Sequence, residues 1–354
     1  MDEIFKAIGL MSGTSLDGEI DVALIETDGR VYVKPLDFYA HPYAMDVRDV
    51  VRSCFGTREV DERTIKAERL VTDLHIEAVK ASGFAGDIIG FHGQTITHAP
   101  DDQFTWQLGD GALMAAALGV DVVSDFRSAD IAAGGQGAPL APLYHAAMMA
   151  RSAAPVCVLN LGGVGNVSYI GGDDLIAFDT GPANAMLDDY CKAHFGCDYD
   201  ADGVLAKAGR VEEALVSEFL THPYFAQKPP KSLDRNAFHA CLKHLPDDPK
   251  DALATLTAMS VAAVAAAQAH VPQAPVVWYV CGGGRKNAHM MALLAQALKP
   301  AAVMPIEDAG YNGDAIEAQA FAYLAVRSKL GLPLSLPSTT GVAAAQTGGV
   351  YHKA

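Results

Sequence analysis

The chain has 354 residues, of which 50% are apolar and 19% charged, with a formal net charge of −16. That length exceeds what one hydrophobic core comfortably fills, so two domains are expected. The acidic balance argues against a nucleic-acid or anionic-membrane surface but leaves room for a small anionic ligand held by a local donor cluster. Six cysteines (Cys54, Cys157, Cys191, Cys197, Cys241 and Cys281) show no Cys-x-x-Cys spacing. They read as reduced, mostly buried thiols of a cytoplasmic protein. The acidic start, Met-Asp-Glu-Ile-Phe-Lys, is not a signal peptide. The most apolar helical stretch, around Thr257–Ala269, is expected to fall short of the ~20 residues that span a bilayer.

The first predicted elements are three strands, Ile4–Met11, Ile20–Glu26 and Val31–Phe38, forming a β-meander. The first turn, Gly9 to Asp21, is crowded with glycine and hydroxyl residues. Small residues let backbone N–H groups approach an anion closely; Ser12, Thr14 and Ser15 add donors, and the Asp17 carboxylate is able to hold Mg²⁺ through water. It is not a Walker A loop, because it lacks the lysine and a strand follows it. Taken alone it reads as a surface hairpin with a roomy turn. Val60–Val79 has the periodicity of an amphipathic helix. A short buried strand, Asp87–Phe91, then breaks into His92-Gly-Gln-Thr. The strand Phe104–Leu108 turns into an alanine-rich helix over Ala112–Leu118, and the strand Val120–Ser124 ends in Asp125-Phe-Arg-Ser-Ala-Asp130. Polar clusters after strand ends are where open α/β sheets bind ligands. The glycine-rich Ala132–Leu140 reads as a crossing between domains.

The second half starts as the first did. Strand Pro155–Leu161, turn Gly162-Gly-Val-Gly-Asn166, strand Val167–Ile170 and strand Leu175–Phe178 repeat the order of elements, which points to an internal duplication. The returning strand ends at Asp179, just before a helix over Ala185–His194, where an aspartate commonly caps. A helix over Val204–Leu220, a lysine- and proline-rich loop around Lys228–Ser232 and a long helix over Asp251–Ala269 follow. The strand Pro275–Cys281 runs into Gly282-Gly283-Gly284 and then a helix over His289–Leu298, a nucleotide-type arrangement. After a last strand, Ala301–Pro305, the helix Ala315–Leu330 carries Glu317, and the tail is expected to lie extended on a domain surface.

Together these elements predict an α/β protein of the two-domain actin/Hsp70/sugar-kinase (ribonuclease H-like) fold with a central ATP cleft and one phosphate hairpin per domain. The expected domains are 1–130 plus about 331–354, and 131–330. The sequence also resembles the anhydro-N-acetylmuramic acid kinase family. The resemblance rests on Gly9-Leu-Met-Ser-Gly-Thr-Ser-Leu-Asp-Gly, His92-Gly-Gln-Thr, Asp125-Phe-Arg with Asp130, Ala133-Gly-Gly-Gln-Gly-Ala-Pro-Leu, Asn160-Leu-Gly-Gly-Val-Gly-Asn, Phe178-Asp-Thr-Gly-Pro, Cys281-Gly-Gly-Gly and Glu317-Ala-Gln-Ala-Phe-Ala. These motifs are collinear over nearly the whole chain.

The resemblance implies an ATP- and Mg²⁺-dependent cytoplasmic enzyme of peptidoglycan recycling. It would open the 1,6-anhydro ring of anhydro-N-acetylmuramic acid to give N-acetylmuramic acid 6-phosphate. It also implies a homodimer. Carried onto this chain, it makes Asp179 the general base and gives Ser12, Gly13, Thr14, Ser15, Leu16, Asp17 and Gly18 to the phosphates, with Asp17 near the metal. Gly162, Gly163, Asn166 and Gly282–Gly284 would flank the phosphates and adenosine. His92, Gln94, Thr95, Asp125, Arg127 and Asp130 would line the sugar pocket, with Glu317 beside it. Arg127 suits a substrate carboxylate through a bidentate pair, or else a structural ion pair with Asp125 or Asp130. Two positions depart from the family pattern. Glu19-Ile20 is one residue longer, which calls for a bulge at Glu19 or a displaced Asp21. Ala183 stands where glycine is usual, which strains the backbone if φ must be positive. An ATP-gated sensor or chaperone and an ATP-independent glycoside hydrolase are the rival readings.

Overall fold

The structure is a computed structural model that describes residues 3–13, 16, 18–234 and 237–354, and the backbone alone of Met45. The chain divides into two units, Met1–Ala150 with Ala315–Ala354, and Arg151–Asp314. In the first, β1 (Phe5–Met11), β2 (Glu19–Thr27) and β3 (Val33–Pro42) form the expected antiparallel meander. The strands β4 (Ile88–Phe91) and β7 (Asp121–Ser124) continue the sheet in parallel. The helix Glu62–Ser82 fits its prediction, capped by Asp61 and stopped by a left-handed Gly83. A separate pair, β5 (Gln94–Ala99) and β6 (Phe104–Leu108), stands as its own two-stranded sheet.

The second unit repeats this plan. The strands β8 (Val156–Leu161), β9 (Val164–Gly171) and β10 (Asp174–Pro182) form an antiparallel meander. The strands β11 (Val277–Cys281) and β12 (Ala302–Pro305) add in parallel. Its order is β10-β9-β8-β11-β12, and the first sheet runs β3-β2-β1-β4-β7 in the opposite listing sense, with a final β13 (Val350–His352) beyond β7. Both are therefore third–second–first–fourth–fifth sheets. The duplication expected from the order of elements is present in the topology, and the fold is the two-domain actin/Hsp70/sugar-kinase type.

Several expectations need correction. The unit boundaries lie at 150/151 and 314/315, not at 130/131 and 330/331. The reason is packing. The helix Ile316–Lys329 lies on β1, β2 and β4 of the first sheet. There its backbone comes so close that a Cβ on Gly9 would sit 1.8 Å from the Ala318 carbonyl oxygen, and one on Gly90 2.1 Å from that of Phe321. Residues 132–140 are not a linker either. The Gln136 amide donates to the Thr340 carbonyl at 2.8 Å, within the first unit. The predicted helix Val204–Leu220 is two short helices, Val204–Lys207 and Glu213–Phe219. Between them Gly209 passes against the Lys250 backbone, and the Glu212 amide is taken by the Thr255 hydroxyl at 3.0 Å. The apolar helix is longer than expected. Pro249–His270 has 22 residues and a mean hydropathy of 1.6, enough by length and composition to cross a membrane. Two-thirds of its most apolar window (67%) is buried, as a core helix would be. It packs on β10 and on the helices around it.

No bulge sits at Glu19: Glu19 and Ile20 pair in register with Pro42 and His41, and Asp21 pairs with Met11. The irregularity lies further on, between Leu24 and Ile25, where β3 carries the extra residue. Four of the six cysteines are buried and two half-buried, all of them free thiols.

The contact at Gly90 yields a stability prediction. Gly90→Ala should lower unfolding free energy by about 1–3 kcal/mol or more, because the methyl must displace helix backbone. Gly172→Ala, at a positive φ of 59° with open space around it, should lower it by only about 1 kcal/mol. Urea unfolding of the two variants checks the difference.

Candidate active site

In the first unit the expected site residues gather after the ends of three neighbouring strands. Ser12 and Gly13 follow β1, His92 follows β4, and Asp125 and Arg127 follow β7. Leu16 and Asp125 take φ values of 52° and 50°, a left-handed conformation uncommon for non-glycine residues and concentrated at functional sites. The loop after β1 is tied by Leu16 N–H to the Gly13 carbonyl at 3.1 Å, and Gly18 (φ 100°) receives Tyr43 N–H at 2.8 Å. The Ser12 hydroxyl is buried with no hydrogen-bond partner among the described residues, although a buried polar atom ordinarily has one. Thr14, Ser15 and Asp17 lie outside the described residues.

The Gln94 amide reaches back to the Gly13 carbonyl at 3.4 Å, joining the β5 strand to this loop. Thr95, on the same strand, accepts from Gln107 at 3.3 Å. Arg127 aims Nε and Nη2 at the His92 Nε2 (3.1 and 2.9 Å) and Nη1 at the Gly137 carbonyl (2.7 Å). The His92 Nε2 must then accept, and its Nδ1 donates to the Gly93 carbonyl at 2.8 Å. Burial first, and then the Arg127 charge, hold His92 neutral with a pKa well below the usual imidazole value. Burial also lowers Arg127 to about 10, against the opposing pull of Glu317 and then Asp130. Arg127 is therefore a hydrogen-bond partner of His92, and among the described residues no salt bridge joins it to Asp125 or Asp130. Asp125 instead accepts Ser128 N–H at 3.3 Å. Glu317 is exposed, in the first turn of the helix whose Phe321 ring packs tilted on His92, with ring centroids 4.4 Å apart.

Asp130, expected beside the sugar, is occupied within the chain. Its carboxylate is buried, and it accepts from the Thr340 hydroxyl at 2.5 Å, the Gly137 N–H at 2.6 Å and the Ser335 hydroxyl. All three donors belong to the chain, so Asp130 is an internal tie that holds the glycine-rich loop to the C-terminal segment.

In the second unit Asp179 sits where β10 is irregular, between Asp179 and Gly181. Asp179 pairs with Asn166 on β9, Asn166 with Asn160 on β8, and Asn160 with Cys281 on β11. Paired residues share a face, so Asp179, Asn166 and Asn160 form one polar row. Asn160 is a candidate that the sequence reading does not assign to the site; its signal is an amide closing the apolar run Val156–Leu159. The turn before β9 is tighter than expected. Only Gly162 and Gly163 lie outside the strands, and their carbonyls accept the amides of Asn184 (3.0 Å) and of Ala183 and Ala185 (3.1 Å each). Ala183 has φ −128°, so the strain expected of a non-glycine residue there does not arise.

Gly282 (φ 75°) brings its backbone against the Asn160 side chain, where a Cβ would lie 2.3 Å from Oδ1. Gly283 and Gly284 line a 470 Å³ pocket together with Asn184, Tyr199, Asp202 and Lys286. Arg285 beside them is spoken for, paired with Glu307 at 2.8 Å and Asp314 at 2.9 Å.

One Asp179 oxygen, Oδ2, accepts Leu233 N–H at 2.8 Å; the other has no hydrogen-bond partner among the described residues. Removal from water pushes its pKa up to about 7, opposed by the Leu233 hydrogen bond.

The sequence matches the family described as anhydro-N-acetylmuramic acid kinase over residues 5–354. The chain belongs to the anhydro-N-acetylmuramic acid kinase family. Relatives bearing that name include one from Paramagnetospirillum magneticum, 50% identical over 98% of this chain and 99% of its own length. Another, from Rhizorhabdus wittichii, is 49% identical over 98% of each chain. Two solved structures share the fold at low identity. The ethanolamine utilization protein EutJ of Carboxydothermus hydrogenoformans is 13% identical with a TM-score of 0.46, over 90% of this chain and 89% of its own. A ROK family glucokinase of Streptomyces griseus, in complex with glucose and AMPPNP, is 14% identical with a TM-score of 0.39, over 90% and 99%. As a member of the anhydro-N-acetylmuramic acid kinase family, the chain is a kinase.

Two measurements follow. A carboxyl raised from 3.8 to about 7 on folding contributes stability that is complete below about 4 and lost as pH rises through about 7. Asp179→Asn should therefore stabilise the protein more at pH 8.5 than at pH 5.5 in urea unfolding. Asp130→Asn should destabilise by about 2–3 kcal/mol, since three buried donors lose a charged acceptor, and should speed amide exchange over 335–340.

Proposed function

We propose that the enzyme uses ATP to cleave the 1,6-anhydro ring of anhydro-N-acetylmuramic acid and to phosphorylate O6, giving N-acetylmuramic acid 6-phosphate for cell-wall recycling in the cytoplasm. The observation that carries this reading is Asp179, a carboxyl poised at about 7 with one oxygen fixed by Leu233 N–H and the other unbonded among the described residues. A general base works best when its pKa is near the working pH.

In this reading Asp179 takes a proton from water as the water oxygen bonds to the anomeric carbon. The C1–O6 bond breaks, its electron pair staying on O6. O6 bonds to the γ-phosphorus and the bond from that phosphorus to ADP breaks. The proton on Asp179 then leaves to solvent. Opening the anhydro bridge exposes O6 as the nucleophile, so no second base is needed at O6. The phosphates would take the loop after β1, where the Ser12 hydroxyl, unpartnered among the described residues, supplies a ready donor. Mg²⁺, held through water by Asp17, would neutralise charge developing on the phosphates. The pocket at Gly283 and Gly284 has the size and mixed lining of a nucleoside site. His92, fixed in its Nδ1–H tautomer, and Arg127 would face the sugar and its lactyl carboxylate.

The deciding experiment is incubation with anhydro-N-acetylmuramic acid, with and without ATP and Mg²⁺, followed by mass spectrometry. A phosphosugar that appears only with ATP is the expected result. Ring opening without ATP would overturn the coupling of cleavage to phosphorylation, and no product would overturn this sugar as the substrate. Asp179→Asn should lose at least 10²-fold in kcat and still bind ATP, and wild-type kcat should fall on the acid side of about pH 7.

A further inference from the structure

Lys231 lies in the loop that the sequence presents as a solvated, proline-rich surface stretch, yet it is buried. Its Nζ donates to the Tyr224 carbonyl at 3.0 Å and sits 4.5 Å from the Tyr224 ring centroid and 5.6 Å from that of Phe178. His270 stands behind it, 3.4 Å away, with its Nε2 on the Phe225 carbonyl at 2.8 Å. The backbone of the same loop holds the Asp179 residue at two points. Asp179 N–H donates to the Lys231 carbonyl at 3.0 Å, and Leu233 N–H donates to Asp179 Oδ2 at 2.8 Å. The Tyr224 hydroxyl closes the ring by donating to the Asp179 carbonyl at 2.6 Å.

We propose that Lys231 is a positioning residue for Asp179. Its ammonium, seated between the Tyr224 and Phe178 rings, anchors the 231–233 segment so that Leu233 N–H is presented to the carboxylate. The inference rests on Asp179 being the general base, but its geometry stands without it.

The anchor works by geometry. Burial shifts Asp179 upward and the Leu233 bond draws it back, and burial lowers Lys231 itself to about 8. Among the described residues, the titratable groups packed around Asp179 are Tyr224, from the helix Pro223–Ala226, and Lys231, from the loop, with His270 behind Lys231. A lysine desolvated on two aromatic faces and bonded to one carbonyl holds its loop more tightly than an apolar chain of the same length.

The test reads Asp179 directly. Its carboxyl is followed by carbon-13 NMR of aspartate-labelled protein and assigned by its loss in Asp179→Asn. In Lys231→Met the Leu233 bond should weaken and the Asp179 pKa should rise by about one unit. The acid limb of kcat should move up with it, and KM for ATP should stay unchanged. Leu233→Pro, which deletes the N–H, sets the size of the full effect. Lys231→Arg, which keeps a cation and donors, should restore the wild-type value. An unchanged Asp179 pKa in folded Lys231→Met, with Leu233→Pro raising it, overturns the proposal. Should Lys231→Met fail to fold, Lys231→Gln is read on the same two outcomes. The titration needs no turnover, so an enzyme inactive on the proposed sugar would overturn that substrate and leave the positioning result intact.

Discussion

The first unit depends on a backbone-to-backbone contact. At Gly9 and Gly90 the helix Ile316–Lys329 touches β1 and β4 with no side chain between. Any larger residue would lift the helix by the thickness of a methyl group, and cores tolerate such overpacking poorly. The contact fixes two adjacent strands relative to one helix. Ser12 and Gly13 follow one of those strands, His92 follows the other, and the Phe321 ring on the helix packs against His92. Close packing in the core is thereby passed on as precision at the strand ends, where the candidate site residues lie.

The second unit solves a similar problem differently. Its long helix Pro249–Ala267 meets β10 at Gly181, where a Cβ would come 2.6 Å from that of Ala263. The adjacent irregularity leaves Asp179 at the edge of a dry cluster, and the loop carrying Lys231 closes over the backbone there. The duplicated sheets have thus diverged in what they carry. One presents neutral donors and an arginine after its first, fourth and fifth strands. The other carries a half-desolvated carboxylate on its third.

Much of this was legible because buried strands are short apolar runs closed by polar residues. Ile8–Met11, Ile88–Phe91 and Val156–Leu161 announce themselves that way. β5 escaped notice because Gln94-Thr-Ile-Thr-His-Ala pairs only with β6, so its polar residues alternate with few apolar ones. Asp125, Arg127 and Asp130 looked equivalent within six residues of sequence. A short helix starting at Ser128 turns Asp130 inward onto Ser335 and Thr340, partners more than two hundred residues away that no local pattern reveals. The domain boundary failed for the same reason. Nothing in Ala315–Leu330 says which sheet it will cover until Gly9 and Gly90 are seen beneath it. Lys231 looked like a surface charge because its cage is built from Phe178 and Tyr224, residues of other elements.

The route of the chain has a consequence for biosynthesis. The second unit is one continuous segment, complete once residue 314 has been made, whereas the first awaits the helix that begins at Ile316. On a ribosome adding roughly 5–20 residues per second, the β1–β4 sheet face is exposed for on the order of ten seconds or more before its cover arrives. The inserted unit can therefore finish folding while its host is still half built. The nascent first unit, with Gly9 and Gly90 bare, is the stage at which a chaperone would have most to shield.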